Sequence, residues 1–249
     1  MSKCALCGNE AKLMQSHIIP KLVYRRIRSH PNSRFRSMDN FGRELQDGEK
    51  RPMLCHDCEE KFSELETWYA RSFLDEYLNT DIIPSVTEQN KLGDYILSVA
   101  WRILWDDLYR LGSFQGESCR EKIEEFEEKA RSYLLNGGSD DFFVNKIYKL
   151  SDLVQCSEDF SDRALFGYTV NNPFYGCFVI VYYAGLVYVT LYKQPRRMVI
   201  ALDAKFPSLL EVIQEEVVLE LTELQKQMKI NYTPEFVAKM KKRYNVSST

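Results

Sequence analysis

Three short stretches near the start of the chain hold side chains able to do chemistry: Cys4-Ala5-Leu6-Cys7, Ser16-His17-Ile18-Ile19-Pro20 and Cys55-His56-Asp57-Cys58. Two Cys-x-x-Cys pairs are the ligand set of a closed, tetrahedral structural zinc site, since a two-residue spacer lets both sulfurs of a pair face one ion. Cys4, Cys7, Cys55 and Cys58 are therefore expected to hold Zn2+, and Gly8 after the first pair suits the tight turn this needs. The pairs stand further apart than in ordinary small fingers, so a segment is inserted between them. His17 lies in that interval. Histidine is the side chain whose unperturbed pKa, about 6.5, suits it to take a proton near neutrality. Of the three histidines, His17 is the one in a motif; His30, before Pro31, reads as a loop residue, and His56 is free to point outward from its knuckle. The bland alternative for His17 is a zinc-proximal or core histidine satisfied by its neighbours.

Cys-x-x-Cys, Ser-His-Ile-Ile-Pro and Leu-Cys-x-x-Cys-Glu, taken in that order, resemble the HNH endonucleases over about residues 1–66. The resemblance implies a ββα-metal core stapled by a four-cysteine zinc. It further implies that His17 is the general base activating water against a DNA phosphodiester. Ser16 and Glu59 fall on the positions that hold a catalytic divalent ion, Mg2+ or Mn2+. The family usually has Asp or His where Ser16 stands. Glu59, a hard oxygen donor, suits such an ion. The middle Asn of the family has no clear counterpart before Cys55; Lys50 stands near its place, and Asp47 is the nearest acid able to serve as a second metal carboxylate.

Phosphodiester cleavage also needs cations to hold the backbone. The whole chain carries a net charge of −3, which by itself speaks against a nucleic-acid partner. The charge is uneven, however. Residues 1–62 hold twelve Lys and Arg against eight Asp and Glu, and the remainder twenty-one against twenty-eight. The excess gathers at Lys21, Arg25, Arg26, Arg28, Arg34, Arg36 and Arg43, with Asp39 the one acid among them. Arginine's planar fork suits phosphate, and such a patch supplies salt-dependent, sequence-independent affinity. Tyr24 and Phe35 are interleaved and either stack on bases or pack inward. The alternative is a solvated helix face and loop.

The elements that must position these residues follow from pattern. Pro20–Ile27 reads as a helix, 29–42 as a loop, and Glu59–Leu78 as a helix with Phe62, Leu65, Phe73 and Tyr77 on one side. Pro84 breaks the chain. Thr87–Leu111 is a long helix with an apolar stripe, Trp101 and Trp105 acting as core anchors. Ser118–Leu135 is another, its Glu124–Arg131 run a solvated face, ended by Asn136-Gly137-Gly138. Strands are expected at 142–150, 164–170, 174–183, 186–192 and 196–202, with Ala184-Gly185 a hairpin turn and the strands on either side of it central. Pro207–Met228 is a helix whose near-heptad seam is core or a homodimer contact, and Thr233-Pro234 starts a last helix ending in Lys239, Lys241, Lys242 and Arg243.

The expected fold class is α+β. A small zinc-stapled ββα, treble-clef-like module (1–80) precedes a mostly helical domain with a small antiparallel sheet (81–249), which would recognise a target or dock a partner. No apolar run is long enough to span a membrane, no secretory leader opens the chain, and paired thiols at metal spacing fit a reducing cytoplasm. Two functional classes follow. One is a metal-dependent endonuclease acting on DNA, with RNA as the weaker alternative; chains of this build resemble bacterial restriction or phage-defence effectors, often paired with an ATPase subunit. The other is a catalytically inactive zinc module that binds nucleic acid or a partner protein.

Overall fold

In the computed structural model the described residues are 2–28, 48–138, 142–153, 166–171 and 176–193, together with residues 211, 213–219, 222, 226, 234, 235 and 238. The chain forms two compact units, one of Met1–Phe35 and Leu45–Phe206, the other of Arg36–Glu44 and Pro207–Thr249.

The first unit opens with two small antiparallel pairs. β1 (Ser2–Lys3) meets β2 (Glu10–Ala11), and β3 (Met14–His17) meets β4 (Lys50–Leu54). A bulge between Met14 and Gln15 lets Met53 fall out of register, so Met14 faces Leu54 while Gln15 faces Pro52. Met53 turns its carbonyl to the Ala5 N–H at 2.9 Å, which ties the second pair to the first knuckle. α1 (Lys21–Arg28) starts after Pro20, whose missing N–H costs nothing at a helix start. α2 (His56–Tyr69) begins on the second knuckle, with Asp57 and Glu59 in the first turn where acids favour the helix dipole.

α2 runs on through a π turn (Ala70–Leu74) into α3 (Asp75–Thr80), burying Phe62, Tyr69, Phe73 and Tyr77 at the spacing expected. α4 (Gln89–Trp105) is the core helix. Every residue from Tyr95 to Leu104 is buried, because α2, α5 (Arg120–Asn136) and the sheet pack around it. It ends in a second π turn, Asp106–Leu111, closed by Gly112 at φ 66°. The sheet has the order β5-β8-β7-β6, all antiparallel: β5 (Phe143–Lys149), β6 (Phe166–Asn171), β7 (Gly176–Tyr183) and β8 (Leu186–Lys193). α6 (Leu150–Leu153) follows β5. The β7–β8 hairpin turns on Ala184 and Gly185, both at positive φ (54° and 78°), the signature of a mirror-image two-residue turn. β7 and β8 are central, as expected, and buried along nearly their whole length.

The fold is thus mixed helix and strand, with small antiparallel sheets and a four-cysteine cluster near the N-terminus. One expectation changes: the Glu124–Arg131 face of α5 is not wholly solvated. Glu127 is buried and accepts bonds from Trp101 Nε1 at 2.8 Å and Tyr109 Oη at 3.2 Å. The expected loop at 29–42 and strand at 196–202 lie outside the described residues. In the second unit Glu211, 213–219, Thr222 and Lys226 are helical, with Ile213 and Val217 buried and Val218 and Leu219 exposed; Pro234, Glu235 and Ala238 are also helical.

Candidate metal centre and active site

The knuckle turns bring the Sγ atoms of Cys4, Cys7, Cys55 and Cys58 within 4.8 Å of one another. Four sulfurs at about 2.3 Å from a central ion stand about 3.8 Å apart along a tetrahedral edge, and Cys7 and Cys55 are 3.8 Å apart. The backbone is shaped for this. Cys4 N–H donates to the Asn9 carbonyl and Gly8 N–H to the Cys4 carbonyl, both at 2.9 Å, and Gly8 takes φ 76°. Cys55 N–H donates to Cys4 Sγ at 3.3 Å, a bond that favours the thiolate. Burial raises the Cys4 thiol, but the backbone N–H groups of Cys7, Cys55 and Leu6 outweigh it and bring it down to about 7. Cys58 is pushed far up by burial and by the Cys55 and Cys4 sulfurs. Several thiolates packed this closely repel one another, and a dication removes the conflict. The donor set therefore fits a closed zinc site, as expected from the spacing.

β3 ends at His17, and α2 starts opposite it. Ser16, fully buried, donates its hydroxyl to Glu59 Oε2 at 2.5 Å. The residue before the motif histidine and the acid after the second knuckle are therefore in direct contact. His17 is half-buried, its ring 6.3 Å from that of buried Tyr24. Gly48 packs flat against the Tyr24 ring, where a Cβ would clash. Lys50 pairs with His17 and Arg51 with Ser16 across the strands. Among the described residues, the four cysteines are the one group of three or more potential ligands close enough to share an ion. Around Ser16 the donors toward a second ion are one carboxylate and one hydroxyl, a partial fit to a hydrated Mg2+ or Mn2+ that keeps most of its waters. Asp47 lies outside the described residues.

Of the basic patch, Lys21 and Arg25 are exposed on α1; Arg26 and Arg28 lie on the same helix; Arg34, Arg36 and Arg43 lie outside the described residues. A groove of about 720 Å³ runs along the outer side of α2 beside Glu59. Its lining includes Glu59, Glu60 and Glu64 against Arg71, so it does not draw a polyanion.

Residues that the motif reading missed surround this site on the α4 side. Arg102, 2% exposed, donates through Nη1 to the His17 carbonyl at 3.0 Å and to Glu66 Oε1 at 2.8 Å, and its guanidinium lies 5.3 Å over the Phe62 ring. One turn on, buried Asp106 takes both Arg110 nitrogens (2.5 and 2.6 Å) and stands 3.5 Å from Arg51 Nε. Asp107 accepts from Tyr168 Oη at 3.2 Å. Burial raises its carboxyl to about 6, with Asp106 adding to the rise. The signal in the sequence was a lone Arg in the otherwise apolar run Val99–Leu104.

No helix among the described residues is long and apolar enough to cross a membrane. Comparison with family models, with curated proteins and with solved structures returned no match to the chain.

Proposed function

We propose that the N-terminal part of the chain is a zinc-stapled treble-clef ββα unit of the HNH type, and that it hydrolyses phosphodiester bonds in DNA. The observation that carries this is the 2.5 Å contact of Ser16 with Glu59. It joins the strand end bearing His17 to the first turn of the helix that carries Cys58, within a unit closed by four thiolates. His17 takes a proton from the attacking water. Ser16 holds the Glu59 carboxylate toward the strand, and Lys21 and Arg25 on α1 neutralise flanking phosphates. Glu59 is the residue that would hold a divalent ion, which would supply positive charge opposite the developing oxyanion. Action as a restriction or phage-defence effector in the cytoplasm, alongside an ATPase subunit, follows from the resemblance alone.

A second reading is favoured by the same hydrogen bond. It occupies a carboxylate oxygen that an ion needs, and the groove beside Glu59 is acidic. On that reading the unit is an inactive zinc module that binds nucleic acid or a partner. Relaxation of supercoiled plasmid by zinc-loaded protein with Mg2+, Mn2+ or EDTA separates the two. The nuclease reading expects metal-dependent nicking that His17→Ala and Glu59→Gln abolish. Wild-type protein that cuts neither DNA nor RNA in either metal leaves only the binding module. RNA cut in preference to DNA changes the substrate.

A further inference from the structure

The strand pair bearing His17 is held at its open end by a helix far away in sequence. We infer that α4 is a clamp for the candidate base, and that Arg102 is a positioning residue acting through the His17 backbone. Three observations converge. Arg102 on α4 and Asp106, one turn on at the start of the π turn that ends it, reach both strands: Nη1 of Arg102 binds the His17 carbonyl on β3 at 3.0 Å, and Asp106 faces Arg51 of β4 at 3.5 Å. Those two contacts fall beside or on a residue of the pair Ser16–Arg51, next to the pair His17–Lys50. The guanidinium is also held by Glu66 Oε1 at 2.8 Å, the Ser98 carbonyl at 3.2 Å and the Phe62 ring.

Arg102 is poorly explained as a stabilising group. Its Nη2 is buried with no hydrogen-bond partner among the described residues, and so is Arg51 Nε on the other arm. A buried cation with an unmet donor is a liability that an apolar side chain of similar volume avoids. What Arg102 contributes and a Leu or Met does not is a fixed position for the carbonyl that precedes Ile18. A strand end held by its last carbonyl has little freedom to move the backbone from which the imidazole hangs, and misplacement of a base by about 1 Å can lower a rate about a hundredfold. Arginine is suited to the task because Nη1 donates to the His17 carbonyl and Glu66 while Nε, in the same rigid plane, is fixed on the Ser98 carbonyl, whereas a lysine nitrogen is a single point on a flexible stem.

The activity arm of this inference rests on the nuclease reading; the structural arm does not. Arg102→Lys and Arg102→Met in the full chain, zinc-loaded, are compared with wild type by the His17 imidazole resonances and by plasmid cleavage. The clamp expects unchanged zinc content and helix signal, a shifted or broadened His17 resonance in both variants, and a kcat lower by about tenfold or more with KM nearly unchanged, less severe for Lys than for Met. An unmoved His17 resonance in a folded Arg102→Met protein overturns the clamp, whether or not the protein cuts DNA. If wild type cuts nothing, the nuclease reading fails while the resonance still decides the clamp. Should both variants fail to fold, amide exchange in wild type decides. The Ile18 N–H, bonded to the Glu49 carbonyl at 3.1 Å, should then exchange as slowly as the amides of α4. Exchange at the rate of the exposed termini overturns the proposal.

Discussion

At the scale of single residues, the Ser16–Glu59 contact sets the test of whether a second ion enters between β3 and α2, as the proposed function requires. A hydroxyl and one carboxylate make a weak donor pair for Mg2+, and the proton that Ser16 gives to Glu59 competes with any cation there. Ser16→Asp puts two carboxylates where one hydrogen bond stood. In zinc-loaded protein without added Mg2+ the variant should be less stable than wild type by about 1–3 kcal/mol, from lost hydrogen bonding and like-charge repulsion at a buried position. Millimolar Mg2+ should recover most of that loss in Ser16→Asp and none in Ser16→Ala, as read by the thermal midpoint. Equal response of the two variants would mean that no ion enters between the strand end and α2. The cysteines were legible because ligand geometry is local: two residues of spacing fix two sulfurs. The partners of Ser16 and His17 were not. Glu59 was placed by the motif, but Arg102 reaches His17 across 85 residues of chain, and nothing near either one records the meeting. Glu127 misled for a related reason. A Glu within a Glu-Lys run reads as solvated, and only Trp101, on another helix, makes it a buried acceptor.

At the scale of elements, helices and strands were legible where their apolar period was strong. The π turns were not, since a single widened turn leaves no periodic trace and is set by what the flanking turns pack against. The turn Asp106–Leu111 matters most, because it buries two adjacent acids. Asp107 has a carboxyl raised to about 6 by burial, against an ordinary value near 3.9 in the unfolded chain. Between those values the native state binds the extra proton. Its contribution to stability is therefore fully present below about pH 4 and is lost as pH rises toward about 6. Asp107→Asn keeps an acceptor for the Tyr168 hydroxyl and removes the titration. The variant should match wild type at pH 4 and exceed it at pH 7 by on the order of 2 kcal/mol. Urea unfolding of zinc-saturated protein across that range checks it, and the difference between the two proteins cancels the opposite pH trend of the thiolate site. A difference that stays constant or widens toward acid would show that Asp107 is held charged by Arg110.

At the scale of the first unit, the question is what the zinc site supports. β1 and β2 have two residues each, and β3 and β4 four and five; pairs this short do not stand alone in water. The thiolate cluster closes them from one side, through the knuckle bonds of Ala5 and Cys55. α4 and the π turn that ends it hold them from the other, through Arg102 and Asp106. The rest of the unit has buried contacts of its own. Tyr69 and Tyr95 stack at 3.7 Å, Tyr95 and Tyr183 share a hydrogen bond of 2.7 Å, and Tyr69 meets the Tyr188 hydroxyl. That buried tyrosine cluster links α2 and α4 to β7 and β8. None of it was visible from strand and helix patterns, which record which face is apolar and not which rings meet. A strong chelator should therefore unfold the stapled strands alone. Amides of β3 and β4 and the knuckle N–H groups should lose protection by about a hundredfold or more, and four further thiols should become reactive. Amides of Val179–Tyr183 and of β8 should keep theirs. Arg102→Met should widen the loss after chelation and leave the zinc-loaded strands protected, because the zinc staple holds the hairpin without Arg102, whereas Arg102 holds it only in part without zinc. Cooperative loss of the whole unit on chelation would mean that the cluster is a keystone of the core rather than a staple on the element that carries His17.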